Sequence, residues 1–131
     1  MEKIVELFEK DKFARNCGIQ IVKVRSGFAE CSMIVSENHL NGIGIIMGGA
    51  LFTLADFTFS LAANSHGTIA VTLNASISYL QKCSGGKITA IATEVFRTAK
   101  TGLYRVSIND DKDRLLAEFS GTCYFGKYPG Q

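Results

Sequence analysis

His39-Leu40-Asn41-Gly42-Ile43-Gly44-Ile45-Ile46-Met47-Gly48-Gly49-Ala50-Leu51-Phe52-Thr53-Leu54-Ala55-Asp56 is the stretch from which the rest of the chain can be read. It opens as a glycine-rich loop and runs into an apolar helix expected over 47–64. Asp56 is the only charged residue in that helix, and no Lys or Arg occurs between Arg25 and Lys82. A carboxylate in apolar surroundings is costly to bury unless it gains donors, a cation from elsewhere or a raised pKa. At about 100° per residue, Gly49, Thr53, Asp56, Ser60 and Asn64 fall on one narrow stripe. The rest is Leu, Phe and Ala, with Thr58 on the opposite side. The helix therefore has a broad face for a core and a thin polar seam bearing the carboxylate.

Gly48-Gly49 brings no side-chain oxygen to cap the first turn. Its N–H groups stay available, at the positive end of the helix dipole. That arrangement suits an anion or an oxyanion. Glycine there also serves a tight turn or a close contact, and both readings stand at this point.

The chain has 131 residues, 47% of them hydrophobic and 20% charged, which fits one globular domain over 1–131 with a substantial core. A net charge of +2 without a long basic run gives no sign of nucleic-acid binding. The N-terminal Met1-Glu2-Lys3-Ile4-Val5-Glu6 mixes charges where a signal peptide needs an apolar run, so the cytoplasm is expected. The longest apolar segment, 47–63, is short for a bilayer and carries Gly-Gly and Asp56, so no membrane insertion is expected. Cys17, Cys31, Cys83 and Cys123 form no Cys-x-x-Cys pair, and none lies near a His at zinc spacing. Free thiols and no metal site are expected.

Working outward, residues 2–13 set Ile4, Leu7 and Phe8 among charges at helical spacing, predicting one amphipathic helix, with 1–16 as helix and lead-in. Ile19–Val24 and Phe28–Val35 read as a hairpin about Ser26-Gly27, with Ala29, Cys31, Met33 and Val35 sharing a face. After the long helix, strands are predicted over 70–80, 87–97, 103–109 and 114–125. In the first of these, Val71, Leu73, Ala75, Ile77 and Tyr79 alternate with Thr72, Asn74, Ser76 and Ser78. Turn residues join these four strands, which predicts an antiparallel meander, and 126–131 reads as a loose tail. A helix apolar around most of its girth requires a sheet curved about it. The fold class is α+β.

His39-Leu40-Asn41-Gly42-x-Gly44-x-x-x-Gly48-Gly49-x-Leu51-x-x-x-Ala55-Asp56 closely resembles the signature of the PaaI-type hotdog-fold acyl-CoA thioesterases. Thr98-x-Lys100-Thr101-Gly102-Leu103-Tyr104 looks like that family's turn between two strands, and the resemblance spans Cys17 to Phe125. It implies a hotdog fold: a long central helix wrapped by a curved antiparallel sheet. It further implies a homodimer at minimum, with pairing of dimers into a homotetramer. The acid matching Asp56 is then nucleophile or general base, the N–H matching Gly48 polarises the thioester carbonyl, and Asn41 positions carbonyl or water. Where the family commonly has His before Gly-Gly, this chain has Met47, which cannot donate a hydrogen bond from its side chain.

The expected function is hydrolysis of an acyl-CoA to free acid and coenzyme A, with catalytic Asp56, Gly48 and Asn41. Met47, Gly49, Thr53, Ser60, Asn74 and Ser76 are candidate substrate contacts. The coenzyme A phosphates need cations, and of Lys82, Lys87, Arg97, Lys100 and Arg105 a solvated surface is the preferred reading for any single one, with Arg97 and Lys100 gaining most from the resemblance; Thr101 is a further candidate substrate contact. Ser60 and Asn64 also read as seam hydrogen bonds, Asn41 as an Asx turn, and Asn74 and Ser76 as a solvent-facing strand. No cofactor is expected beyond the coenzyme A of the substrate. Asp56 lies eight residues beyond Gly48, ~12 Å along a helix, too far for both to serve one carbonyl. A two-fold partner is expected to bring Asp56 of one chain opposite Gly48 of the other. A non-catalytic acyl-CoA-binding module and an enoyl-CoA hydratase or dehydratase are the alternatives. P-loop, dinucleotide-binding and Gly-x-Ser-x-Gly patterns are absent.

Overall fold

The computed structural model describes residues 1–126, so all but Gly126 of the expected tail lies outside the described residues. The elements run α1 (Glu2–Glu9), α2 (Lys12–Cys17), β1 (Gln20–Arg25), β2 (Phe28–Ile34), α3 (Gly48–Asn64), β3 (Ala70–Tyr79), β4 (Lys87–Arg97), β5 (Thr101–Asn109) and β6 (Leu115–Phe125). The six strands form one antiparallel sheet in the order β1-β2-β4-β5-β6-β3. Helix α3 packs against all six.

Helix and sheet meet through residues of complementary size. Leu54, Ala55, Leu61 and Ala62 of α3 are fully buried, and Ala29, Ala90, Ala92 and Ala117 give the sheet a shallow floor. One close approach is at Gly121, where a Cβ would lie 3.0 Å from ring atoms of both Phe59 and Phe119. Phe59 fills that gap, with Tyr104 and Phe119 each 5.6 Å away between ring centroids. The predicted inner face of β2 is buried, with Ala29, Cys31 and Met33 at most 1% exposed.

Three sequence expectations are corrected. The N-terminal helix is two helices. Asp11 adopts extended backbone, and its Oδ1 accepts the Ala14 N–H at 3.0 Å, so it ends α1 and caps α2. The four-strand meander holds only for β4, β5 and β6. Because α3 crosses the face of the sheet, the chain leaving it lands at the far edge, where β3 pairs with β6, while β2 occupies the free edge of β4. Residues 80–86 then return past the start of α3, where the Cys83 carbonyl accepts Ile46 N–H and the Gly86 carbonyl accepts Val35 N–H. Lastly, β3 carries a bulge between Thr72 and Asn74, which breaks the simple alternation. Thr72 pairs with core-facing Cys123, whereas Asn74 and Ser76 pair with Thr122 and Ser120 on the opposite face.

Candidate functional site

The seam of α3 is polar, but its members bond to their own helix. Thr53 Oγ1 donates to the Gly49 carbonyl at 2.8 Å, and Asn64 Nδ2 donates to the Ser60 carbonyl at 2.8 Å. Asn64 Oδ1 accepts the Ala70 N–H at 3.0 Å, tying the helix end to β3. Among the described residues none donates a hydrogen bond to Asp56, and no cation pairs with it. Its carboxylate borders a cavity of about 440 Å³, shared with Thr53, Ser60, Phe52, Phe57 and the α1–α2 residues Leu7, Phe8, Asp11 and Phe13. Burial, and after it the nearby charge of Asp11, hold the Asp56 carboxyl above the usual carboxylate range.

The start of α3 forms a separate feature. Met47 caps the helix without a side-chain hydrogen bond. Among the described residues no acceptor meets the N–H groups of Gly48 and Gly49. The two glycines are covered differently. A Cβ on Gly48 would lie 2.9 Å from Tyr79 Cζ, while one on Gly49 would meet Met47 Cε at 3.6 Å. Gly48 and Asn41 line one cavity of about 330 Å³, with Leu51, Tyr79 and Lys82. Asn41 Oδ1 closes an Asx turn, accepting Ile43 N–H at 3.0 Å and Ile45 N–H at 3.3 Å, which leaves its amide NH₂ open to a ligand. His39 steadies this loop: Nδ1 accepts Ser36 N–H at 3.0 Å, so Nε2 carries the hydrogen and donates to the Cys17 carbonyl at 2.7 Å.

One chain thus brings Asp56, Thr53 and Ser60 together, and separately Gly48 and Asn41; it does not join the two groups. Asn74 and Ser76 stand on the sheet face turned away from α3, where Ser76 borders a groove with Arg105 and Glu118. Arg97, Lys100 and Thr101 lie in or beside the β4–β5 turn, where Thr98 Oγ1 accepts N–H from Lys100 and Thr101. That turn sits near the far end of α3: the Lys100 carbonyl accepts Phe125 N–H, and Glu94, 2.6 Å from His66 Nε2, is 3.7 Å from Arg97 Nε. Among the described residues no group of three His, Cys, Asp or Glu side chains is placed to hold a metal. No described helix is long and apolar enough to cross a membrane.

Sequence reasoning passed over Asp11 and the apolar residues around it as walls of the Asp56 cavity. The signal was present: an Asp followed by Lys12-Phe13-Ala14 is a helix-start pattern inside a presumed continuous helix. Tyr79 was read only as a strand residue, because its contact with Gly48 depends on where β3 lies.

The family profile described as Thioesterase superfamily matches residues 43–117, a span that contains Gly48 and Asp56. Acyl-coenzyme A thioesterase PaaI of Escherichia coli K12 is 35% identical over 116 residues, covering 88% of this chain and 83% of that protein. Human acyl-coenzyme A thioesterase 13 is 31% identical over 103 residues, covering 76% and 74%. The solved structure of E. coli PaaI superposes with a TM-score of 0.90 at 33% identity, covering 93% of this chain and 89% of that one. The TT0310 protein of Thermus thermophilus gives 0.83 at 34% identity, covering 88% and 97%. A long helix wrapped by one curved antiparallel sheet agrees with these matches: the chain is a PaaI-like hotdog-fold protein and belongs to the thioesterase superfamily, a family of thioester hydrolases.

Proposed function

We propose that the protein hydrolyses acyl-CoA thioesters at sites formed between two copies of the chain. One observation carries this reading. Helix α3 bears an acceptor-only carboxylate in one cavity and uncommitted N–H donors in another. The two are ~12 Å apart along the axis, whereas base and oxyanion donor must each come within ~3 Å of one reacting group.

Strand β3 supplies a means of joining them. It is a ten-residue strand at the edge of the sheet. Antiparallel pairing of two β3 strands about a two-fold axis reverses one α3 relative to the other, carrying the Gly48 end of each helix toward Asp56 of its partner. In this arrangement Asp56 deprotonates the water that attacks the thioester carbonyl carbon, or attacks that carbon itself to form a mixed anhydride that water then hydrolyses to free acid and Asp56, and the Gly48 N–H stabilises the oxyanion. The Asn41 amide orients the carbonyl. In either route the C–S bond breaks, and the thiolate of coenzyme A leaves. Thr53 and Ser60 line the acyl side, and Met47 and Gly49 border the thioester. Arg97, Lys100 and Thr101 meet the phosphates of coenzyme A from a neighbouring copy in a dimer of dimers. The four cysteines, all free thiols, fit a reducing cytoplasm. The names of the relatives support the substrate class.

A second reading, a non-catalytic acyl-CoA-binding module, rests on Met47, which is exposed and packs on Gly49 instead of offering a donor. A thiol-release assay over a panel of acyl-CoAs, with binding measured in parallel, separates the two. Release is expected. Binding without release favours the module, and water addition to an enoyl-CoA favours a hydratase. The two-chain site has its own test: mixed dimers of Asp56→Asn and Gly48→Leu chains keep one intact site and regain turnover that neither variant has alone. No recovery after subunit exchange refutes the shared site.

A further inference from the structure

We infer that Asp11, held at the break between α1 and α2, sets the charge selectivity of the Asp56 cavity, which accepts uncharged acyl groups and excludes acyl groups ending in a carboxylate. This rests on the hydrolase reading and adds a substrate class to it.

The cavity wall is built from two directions. From α3 come Phe52, Thr53, Asp56 and Phe57; from the N-terminal helices come Leu7, Phe8, Asp11 and Phe13; Ile69 closes one side. Phe8 meets Phe57 edge to face at 5.6 Å, which seats α1 against α3. Apart from the seam hydroxyls, the Asn64 amide and the two acids, the lining is mainly apolar, and among the described residues it contains no Lys, Arg or His. Lys10 and Arg15, close to Asp11 in the chain, border a different cavity on the β1 side.

Asp11 is fixed where it stands. Its Oδ1 is committed to the Ala14 N–H, so the carboxylate cannot swing away without uncapping α2. Its negative charge bears on the Asp56 carboxyl. A neutral acyl chain entering this space gains from the apolar lining. A chain with a terminal carboxylate would surrender its hydration, meet no cation among the described residues of this lining and add a third negative charge to two fixed ones. The same field acts on the product, because hydrolysis turns a neutral acyl group into a carboxylate that the cavity then repels.

The test compares hexanoyl-CoA with adipoyl-CoA, which share a carbon skeleton and differ by one terminal carboxylate. The wild-type protein is expected to favour hexanoyl-CoA in kcat/KM by about a hundredfold, the scale of like charges roughly 6 Å apart near a protein surface. Asp11→Asn and Asp11→Ser keep a helix-capping side chain while removing the charge. Each is expected to lower that preference about tenfold, with helix content verified by circular dichroism. Asp11→Glu is expected to retain it, and added salt to narrow it. Equal use of both substrates by the wild type, or a preference unmoved in both neutral variants, overturns the assignment while leaving hydrolysis in place. Absence of hydrolysis with either substrate overturns the hydrolase reading and this inference with it.

Discussion

Replacing Asp56 by Asn separates a catalytic carboxylate from a structural one, because the two predict opposite changes in stability. Asp56 is half-buried, receives no hydrogen bond among the described residues and has Asp11 as its charged neighbour. Burial first, and Asp11 second, raise its pKa above the ordinary carboxylate value. Such a group stabilises the fold while protonated. That contribution is complete below the unfolded-state pKa, about 3.9, and is lost as pH rises through the raised folded-state pKa. At pH 7 the ionised carboxylate therefore weakens the fold, and Asn, similar in shape but neutral, relieves it. The expected gain is about 0.5–2 kcal/mol, or roughly 2–8 °C in Tm for a domain of this size. It should shrink as pH falls through the raised folded-state pKa and vanish well below about 3.9, where the carboxyl is protonated in both states. Loss of the base should meanwhile cost about 10²–10⁴-fold in kcat/KM, which is about 3–5 kcal/mol of transition-state stabilisation. The wild-type kcat/KM should rise with pH through a midpoint above the ordinary carboxylate value. Urea and thermal melts at one fixed protein concentration measure stability, and thiol release measures turnover. A structural acid gives the reverse: with its hydrogen bonds disrupted, the variant would lose about 1–3 kcal/mol. Destabilisation of that size at pH 7, or turnover retained within about tenfold, refutes the reasoning.

Two further substitutions test the surroundings of the site. Gly48→Ala places a methyl group 2.9 Å from Tyr79 Cζ, so stability should fall by about 1 kcal/mol as the half-exposed ring is displaced. Adding Tyr79→Ala should cancel that loss in a double-mutant cycle followed by thermal melts, and full additivity would exclude the contact. Gly121→Val drives two methyl groups toward Phe59 and Phe119, whose ring atoms lie 3.0 Å from the position of its Cβ. It should cost about 1–3 kcal/mol by urea unfolding, and an unchanged midpoint would show that α3 can lift off the sheet without penalty.

Much of this molecule follows from local pattern. The period of Leu, Phe and Ala in α3, its polar seam and its glycine start can be read from adjacent residues, because each depends on helix geometry alone. The buried face of β2 is equally legible, since alternation places Ala29, Cys31 and Met33 together without reference to any other strand. What escaped depends on distant partners. The edge position of β3 follows from where α3 sets the chain down, and the bulge that separates Thr72 from Asn74 exists only against β6. The cap at Asp11 has a local signature, but its nearness to Asp56 requires α1 and α2 to fold back over α3, through contacts such as Phe8 on Phe57. By itself the sequence determined that a lone carboxylate and a bare helix start lie on one helix, too far apart to share a carbonyl. Tertiary structure alone decided that they open into two separate cavities and that a second acid stands beside the first, because packing between segments remote in the chain is set by the whole core and not by any one stretch.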